Sequence, residues 1–437
     1  MGATLGDRVY LNVDYEDQYV QPLLLAALKA RLPSELLVFV HESEQPPPLN
    51  GKLLQWRQYE NIDFEHLLEH PKTNLANSYV IRKALIRKHY LSTTVSHWLI
   101  KRPESTLKDH VKGSVEFEVD YAEFLDDALV EAFELKEAWA KNEGLDAAEK
   151  EWWILKPGMS ERGQGIRLFS SEEELTSIFE GWDPSSDDED DAVSVSDEKP
   201  SASGDDGHDG NGIMTSQLRH FIVQPYIHPP LLLPPPHPSA GRKFHIRTYV
   251  LAVGALKVYV YRPMLALFAA KPYTAPAEAS TADPNEELAS HLTNTCLQNG
   301  AREGSVHAFW SLPSSLPGLS DEWRGDVFAQ ICAVTAETFE AAARSMSIHF
   351  QVLPNAFEIF GLDFLVDAKG TAWLLEVNAF PDFAQTGEEL QGLVKGMFEE
   401  VVEAAVKPFF GLEDEELAGA KAASEMAMVL DVDLGRR

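Results

Sequence analysis

The sequence predicts an α+β protein built from more than one sheet-bearing unit. Its 437 residues suffice for about three domains at roughly 150 residues each. Hydrophobic residues at 44% and charged residues at 24% are the proportions of an ordinary globular protein, which sets aside wholesale disorder, collagen-like repeats and coiled coil. Short strands alternate with helical patterns up to about residue 150, and the text then becomes strand-rich, with two hairpins separated by one long helix.

Taken in order, residues 1–150 read as an N-terminal α/β domain, with strands at Arg8 to Val13 and Leu36 to Val40 and helices at Gln21 to Lys29 and Tyr79 to Leu91. Residues 151–240 form a central subdomain. Trp152 to Lys156 and Ile166 to Phe169 are strands flanking a glycine-bearing loop, Ser171 followed by Glu174 is a capping box for a helix through Phe179, and Phe221 to Ile227 is a buried strand. Pro229 to Pro238 is an extended connector, because proline removes ladder donors. Residues 241–411 hold a hairpin of Phe244 to Val253 and Leu256 to Arg262, the helix Trp323 to Arg344, a second hairpin of Phe357 to Asp367 and Thr371 to Asn378, and a last helix from about Gly387 to Val406. Residues 412–437 read as a weak helix and a tail.

The formal net charge is -32, and a surface that acidic repels nucleic acid and anionic membranes. The charge is uneven. Residues 183–212 carry eleven Asp or Glu against Lys199 alone, ten of the 32 net negative charges, and their Ser, Gly and Asp composition predicts a disordered acidic insertion. Against this background Arg82, Lys83, Arg87, Lys88 and His89 form a basic cluster suited to phosphate or acidic-substrate contact. Two cysteines, Cys296 and Cys332, make no disulfide framework and suit a reducing compartment. The N-terminus lacks the apolar stretch of a signal peptide, and no run approaches the ~20 apolar residues of a membrane span. A cytoplasmic location is the expectation.

The second hairpin yields to geometry. With Lys369 and Gly370 as its two central turn residues, Asp363 stands opposite Glu376, and Asn378 shares their face. Two carboxylates facing each other on apolar strands need a cation, and hard Mg2+, held by a few carboxylate or amide oxygens, meets that need. In Lys156-Pro-Gly-Met-Ser-Glu-Arg-Gly-Gln-Gly-Ile, Gly158, Gly163 and Gly165 let backbone N–H groups approach phosphate, and Lys156 adds a point charge. In Gly241-Arg-Lys-Phe-His-Ile-Arg, alternation puts Lys243, His245 and Arg247 on one strand face, a cationic row for a polyanion such as a nucleoside triphosphate.

In sequence order, WWILKPGMSERGQGI, FIVQPYIHPPLLL, GRKFHIRTYVL, KVYVYR, HLTNTCLQ, FEIFGLDFLVD and WLLEVNAFP resemble the tubulin-tyrosine ligase-like branch of the ATP-grasp ligases, over about residues 80 to 410 apart from the insertion. The resemblance implies an ATP-grasp fold, in which two sheet-containing subdomains clasp ATP, preceded by an N-terminal α/β pre-ATP-grasp domain. It implies that Lys156 and Lys243 contact phosphates, that the loop with Gly163, Gln164 and Gly165 folds over them, and that Gln224, Pro225, Tyr226 and Ile227 line the adenine pocket. Asn294 would sit near the phosphates, Asp363, Glu376 and Asn378 would hold Mg2+, and Arg82-Lys83 is a looser match to a further basic pair.

What the family does is join an amino acid to a protein tail. ATP phosphorylates a carboxylate and an amine attacks the acyl phosphate, with cations stabilising charge on the transferring phosphoryl. Lys243 and Arg247 are the expected catalytic pair, Arg247 gripping the substrate carboxylate bidentately. The expected ligands are therefore ATP, Mg2+, a free amino acid and an acceptor, tubulin or another protein tail. The sequence also departs from the family pattern. His245 replaces the usual Asp, Pro225 the usual Lys, and Leu267 stands where a basic residue is typical. These features resemble a fungal branch associated with cytoplasmic mRNA-processing bodies (P-bodies), which implies mRNA-decay proteins as partners and, as the alternative, an ATP-binding interaction protein with weak catalysis.

Overall fold

The computed structural model describes residues 8–40, 47–48, 50–158, 164–182, 218–278, 284–293, 305–387, 389–412 and 424–434. The acidic insertion at 183–212, Gly163, Asn294 and Cys296 lie outside the described residues. The chain divides into two compact units. One comprises residues 1–112, 227–273 and 283–437; the other comprises 113–226 and 274–282. The chain thus passes from one unit to the other near residue 112, where the sequence suggested 150, and the N-terminal segment belongs to the same unit as the C-terminal hairpins.

Within the larger unit, β1 (Val9–Asp14), β2 (Leu37–Phe39), β3 (Lys52–Arg57) and β4 (Asn74–Ala76) form a wholly parallel sheet in the order β2-β1-β3-β4. Parallel neighbours need crossovers, and the helix Val20–Arg31 supplies the one between β1 and β2. The predicted helix over Tyr79 to Leu91 is instead two helices, Lys83–Ile86 and Lys88–Lys101, broken at Arg87, whose backbone is extended. Tyr79 and Ile81 precede them as irregular chain, and Ile81 bridges Gln351.

The smaller unit holds a four-stranded antiparallel sheet of β5 (Val115–Glu118), β6 (Trp153–Pro157), β7 (Arg167–Phe169) and β8 (His220–Pro225), in the order β5-β8-β6-β7. Half of the capping box forms as expected, Ser171 Oγ accepting from the Glu174 amide at 3.2 Å, while the Glu174 carboxylate accepts from the amide of Ser170, one residue before the cap, at 2.6 Å. Its helix runs Glu172–Glu180 and buries Leu175 and Phe179 with Trp153, Phe169 and Phe221.

The remaining strands return to the larger unit: β9 (Phe244–Val253), β10 (Lys257–Tyr261), β11 (Leu265–Phe268), β12 (Val306–Ala308), β13 (Phe357–Val366), β14 (Ala372–Ala379) and β15 (Met426–Asp431). β9 is flanked by β13 on one side and by β10 and β11 on the other, so nine of its ten residues are buried. Its alternation serves two cores. Phe244, Ile246, Val250 and Ala252 pack with the long helix Trp323–Ser345, while Tyr249 and Leu251 pack with Met397, Phe398 and Val401. β15 corrects the reading of the C-terminal residues as a helix and tail: Met426–Asp431 pairs antiparallel with β10. Its Met-Ala-Met-Val-Leu run is short and weakly alternating, and the β10 edge decides its state. The proline connector is packed as well, since Leu231 donates its amide to Val366 and Leu231 and Leu233 are buried.

Candidate functional site

The second hairpin delivers the expected pairing by an unexpected route. Its turn has three residues, Ala368 to Gly370, with Asp367 and Thr371 paired across it and Gly370 at φ 85°. That register is one residue away from the expected one, and Val366 pairs with Ala372 accordingly. An irregularity between Asp363 and Phe364 restores the difference, so Asp363 faces Glu376 and Gly361 faces Asn378. Asn378 Nδ2 lies 3.1 Å from Glu376 Oε1 and 3.4 Å from Asp363 Oδ2.

The neighbouring strand completes a row. β9 pairs with β13 so that Arg247 stands beside Asp363, placing Arg247, Asp363 and Glu376 side by side across three strands. The guanidinium grips Asp363 bidentately, Nε to Oδ1 at 2.5 Å and Nη2 to Oδ2 at 3.0 Å. Burial disfavours the Arg247 charge, but Asp363 more than offsets it and holds the guanidinium above its ordinary pKa. Gly361 makes room for this pair: a Cβ there would lie 2.8 Å from Pro381 Cβ and 3.3 Å from Arg247 Cδ.

His245, two residues along, is fully enclosed. Its Nδ1 lies 2.5 Å from Thr293 Oγ1, and its Nε2 lies 3.6 Å from Asp363 Oδ1. Burial lowers its pKa, only partly opposed by Asp363, so the ring is neutral at pH 7. Lys243 is buried at the start of the row; burial, with the charges of Lys243 and His228 adding to it, pushes His291 down to about 3.

The basic cluster lies on two sides of this hairpin. Lys88 Nζ approaches Glu376 Oε2 at 3.5 Å. Arg82 turns elsewhere, with Nε 2.7 Å from Glu358 Oε1 and its guanidinium 3.9 Å from the Tyr59 ring centre. Sequence reading marked Lys88 as basic but gave it no place beside the hairpin; the helix break at Arg87 sets its direction. Thr293 was not singled out, although it stands in the HLTNTCLQ motif beside Asn294.

The smaller unit carries the other expected contacts. Lys156 is buried on β6 and donates to Gln224 Oε1 on β8 at 2.8 Å. Pro225 pairs with Trp153, and Tyr226 donates its amide to Trp152. Gln164 is exposed; Gly165 is buried with φ 73°, and a Cβ on it would come within 2.6 Å of Pro157 Cγ, so close packing alone already requires glycine there. Ile227 begins the next segment of the larger unit and is buried.

A hard cation fits the hairpin's donor set. Asp363 and Glu376 bring carboxylate oxygens to one face, and the Asn378 amide, which here donates its Nδ2 to both, would add an oxygen if turned over. A pair of carboxylates suits Mg2+, which takes one or two carboxylates and draws its other ligands from phosphate and water. Charge balance does not by itself demand the metal, because Arg247 and Lys88 already neutralise the two carboxylates.

A seven-stranded antiparallel sheet with a row of basic residues beside a carboxylate hairpin, together with a four-stranded antiparallel sheet bearing a buried lysine, defines an ATP-grasp protein. The C-terminal domain of K. lactis Pby1, an ATP-grasp enzyme interacting with the mRNA decapping enzyme Dcp2, has the same fold, with a TM-score of 0.69 and 36% identity covering 97% of this chain and 99% of that one. The tubulin-tyrosine ligase family model matches residues 68–413, and the chain belongs to that family. It is 45% identical to the probable tubulin-tyrosine ligase C12B10.04 of Schizosaccharomyces pombe, over 94% of each chain. It is 43% identical to the probable tubulin-tyrosine ligase PBY1 of Saccharomyces cerevisiae over 90% of this chain, which spans about half (51%) of that protein.

Proposed function

We propose that this protein is an ATP- and magnesium-dependent ligase that joins an amino acid to a protein acceptor through an acyl phosphate. The observation that carries the reading is the row Arg247, Asp363 and Glu376, its first two members buried, with Lys243 and His245 on the same strand face as Arg247. Asp363, Glu376 and Asn378 hold Mg2+, with the Asn378 amide turned to present its oxygen. Lys156 and Lys243 contact phosphates, Gln164 and Gly165 lie near them, and Gln224, Pro225, Tyr226 and Ile227 bind the adenine. The bound metal supplies positive charge to the phosphates during transfer.

A substrate carboxylate oxygen attacks the terminal phosphorus and the bond to the bridging oxygen breaks, releasing ADP. An amine then attacks the acyl carbon, inorganic phosphate leaves, and the amine loses a proton to solvent. Arg247 orients the carboxylate, which it would reach by relaxing its bidentate grip on Asp363. Lys243 stabilises the transferring phosphoryl.

Two observations favour a second reading, an ATP-binding protein of weak turnover that acts as a partner in cytoplasmic mRNA-decay assemblies, as the interaction of the K. lactis enzyme with Dcp2 suggests. His245 is neutral where the family has an acid, and Leu267, where a basic residue is typical, is buried in an apolar cluster. Calorimetric titration with Mg-ATP, followed by ADP release with panels of amino acids and acceptor proteins, separates the two. Release that depends on both amino acid and acceptor supports ligation; ATP binding without it supports the second reading.

A further inference from the structure

We infer that the smaller unit carries a docking site for a cationic segment bearing bulky apolar side chains, a site made by residues 114–134 and distinct from the nucleotide residues. Four large apolar side chains stand in solvent within thirteen residues: Tyr121, Phe124, Val130 and Phe133, exposed by 48%, 49%, 56% and 72%. They are not a misplaced core. Leu125, Leu129, Ala132 and Leu135 of the same stretch are buried with apolar side chains of the antiparallel sheet, so the segment buries one apolar set and exposes a second. Beside Val130 and Phe133 lies a cavity of about 770 Å3, lined by these two and Val115 of β5 and by the acidic Glu116, Asp127, Glu131 and Glu134. β5 is an outermost strand of its sheet among the described residues.

The charge names the occupant. Residues 114–134 contain eight Asp or Glu and no Lys or Arg. An apolar surface rimmed by one sign of charge marks an interaction site, and the rim selects a partner of opposite sign. Nucleic acid, anionic membrane and this chain's own acidic insertion are all repelled by it. A lysine- or arginine-rich protein segment with leucine or phenylalanine anchors fits both features, with the exposed aromatics as the anchoring contacts. The inference holds whether or not the chain ligates.

The test is fluorescence anisotropy on the full chain with three labelled synthetic peptides of equal length: Lys alternating with Leu and Phe, Lys alternating with Ser, and Glu alternating with Leu and Phe. The first should bind, and the other two should bind at least roughly tenfold more weakly. Phe133→Ser and Glu131→Lys should each weaken the first peptide roughly tenfold. Ile100→Ser, an equally exposed change in the other unit, should not. Because Phe133 is largely exposed, its replacement leaves the core intact, and thermal unfolding checks this. Equal binding of the Lys/Ser peptide, or unchanged affinity in both patch variants, overturns the site. So does a dimer in light scattering that Phe133→Ser dissolves, since a second copy would then cover the patch.

Discussion

Arg247 and Asp363 are bound to each other through two hydrogen bonds on adjacent strands, both side chains buried. The residue proposed to hold the substrate and the residue proposed to hold the metal are thus partners before either ligand arrives. A buried charge left alone costs several kcal/mol, so each keeps the other in place. Were Asp363 to hold Mg2+ as proposed, Arg247 would have to share or yield that carboxylate.

Asp363→Asn should therefore do more than remove a metal ligand. It leaves Arg247 charged, buried and without its carboxylate, and we expect a loss of about 3–5 kcal/mol in folding stability. Denaturant unfolding measures it; a loss under about 1 kcal/mol would mean Arg247 finds another partner.

Glu376→Gln is the cleaner probe of the proposed metal site. The Glu376 side chain is 29% exposed and its ion pair with Lys88 is long at 3.5 Å, so stability should change by less than about 1 kcal/mol. Mg-ATP affinity should fall roughly tenfold or more by calorimetry, and an unchanged affinity removes Glu376 from that role.

Glu358 predicts a pH dependence. Burial pushes its carboxyl up to about 7 from an ordinary 4.5, with Arg82 and the Tyr79 amide pulling the other way. The folded state then keeps a proton that the unfolded chain has lost between about 4.5 and 7, so stability falls as pH rises through that window. Relative to Glu358→Gln, the protein should lose roughly 3 kcal/mol between pH 4.5 and 7.5, measured by chemical denaturation. Parallel pH profiles would refute the shift.

Truncation after residue 423 tests β15. Five register pairs with β10 and the buried Met426 would go, and the β10 edge would open. At about 1 kcal/mol per lost backbone hydrogen bond the cost is several kcal/mol, and the bare edge should promote association visible in light scattering. An unaltered melting temperature would show that β15 contributes nothing.

Much of the carboxylate hairpin was legible because strand alternation is local. Apolar runs around Gly361 to Val366 and Trp373 to Asn378 mark both strands, and period two puts Asp363, Glu376 and Asn378 on one face. The pairing of Asp363 with Glu376 was right although the turn was not. A three-residue turn shifts the register by one and the irregularity beside Asp363 shifts it back, and neither has a sequence signal strong enough to read.

The sequence by itself determined the periodic elements, the ordered motifs and the family, because local propensity and motif text are written residue by residue. It also determined that Lys243, His245 and Arg247 share a face. Tertiary structure alone decided what that face meets: Asp363 against Arg247, Thr293 against His245, Lys88 against Glu376. It also decided that residues 426–431 are a strand and that the first 112 residues belong with the last hairpins. The physical reason is common to all of these. Each depends on groups far apart in the chain whose partners are chosen by burial and charge compensation, and those energies exist only once the strands are side by side.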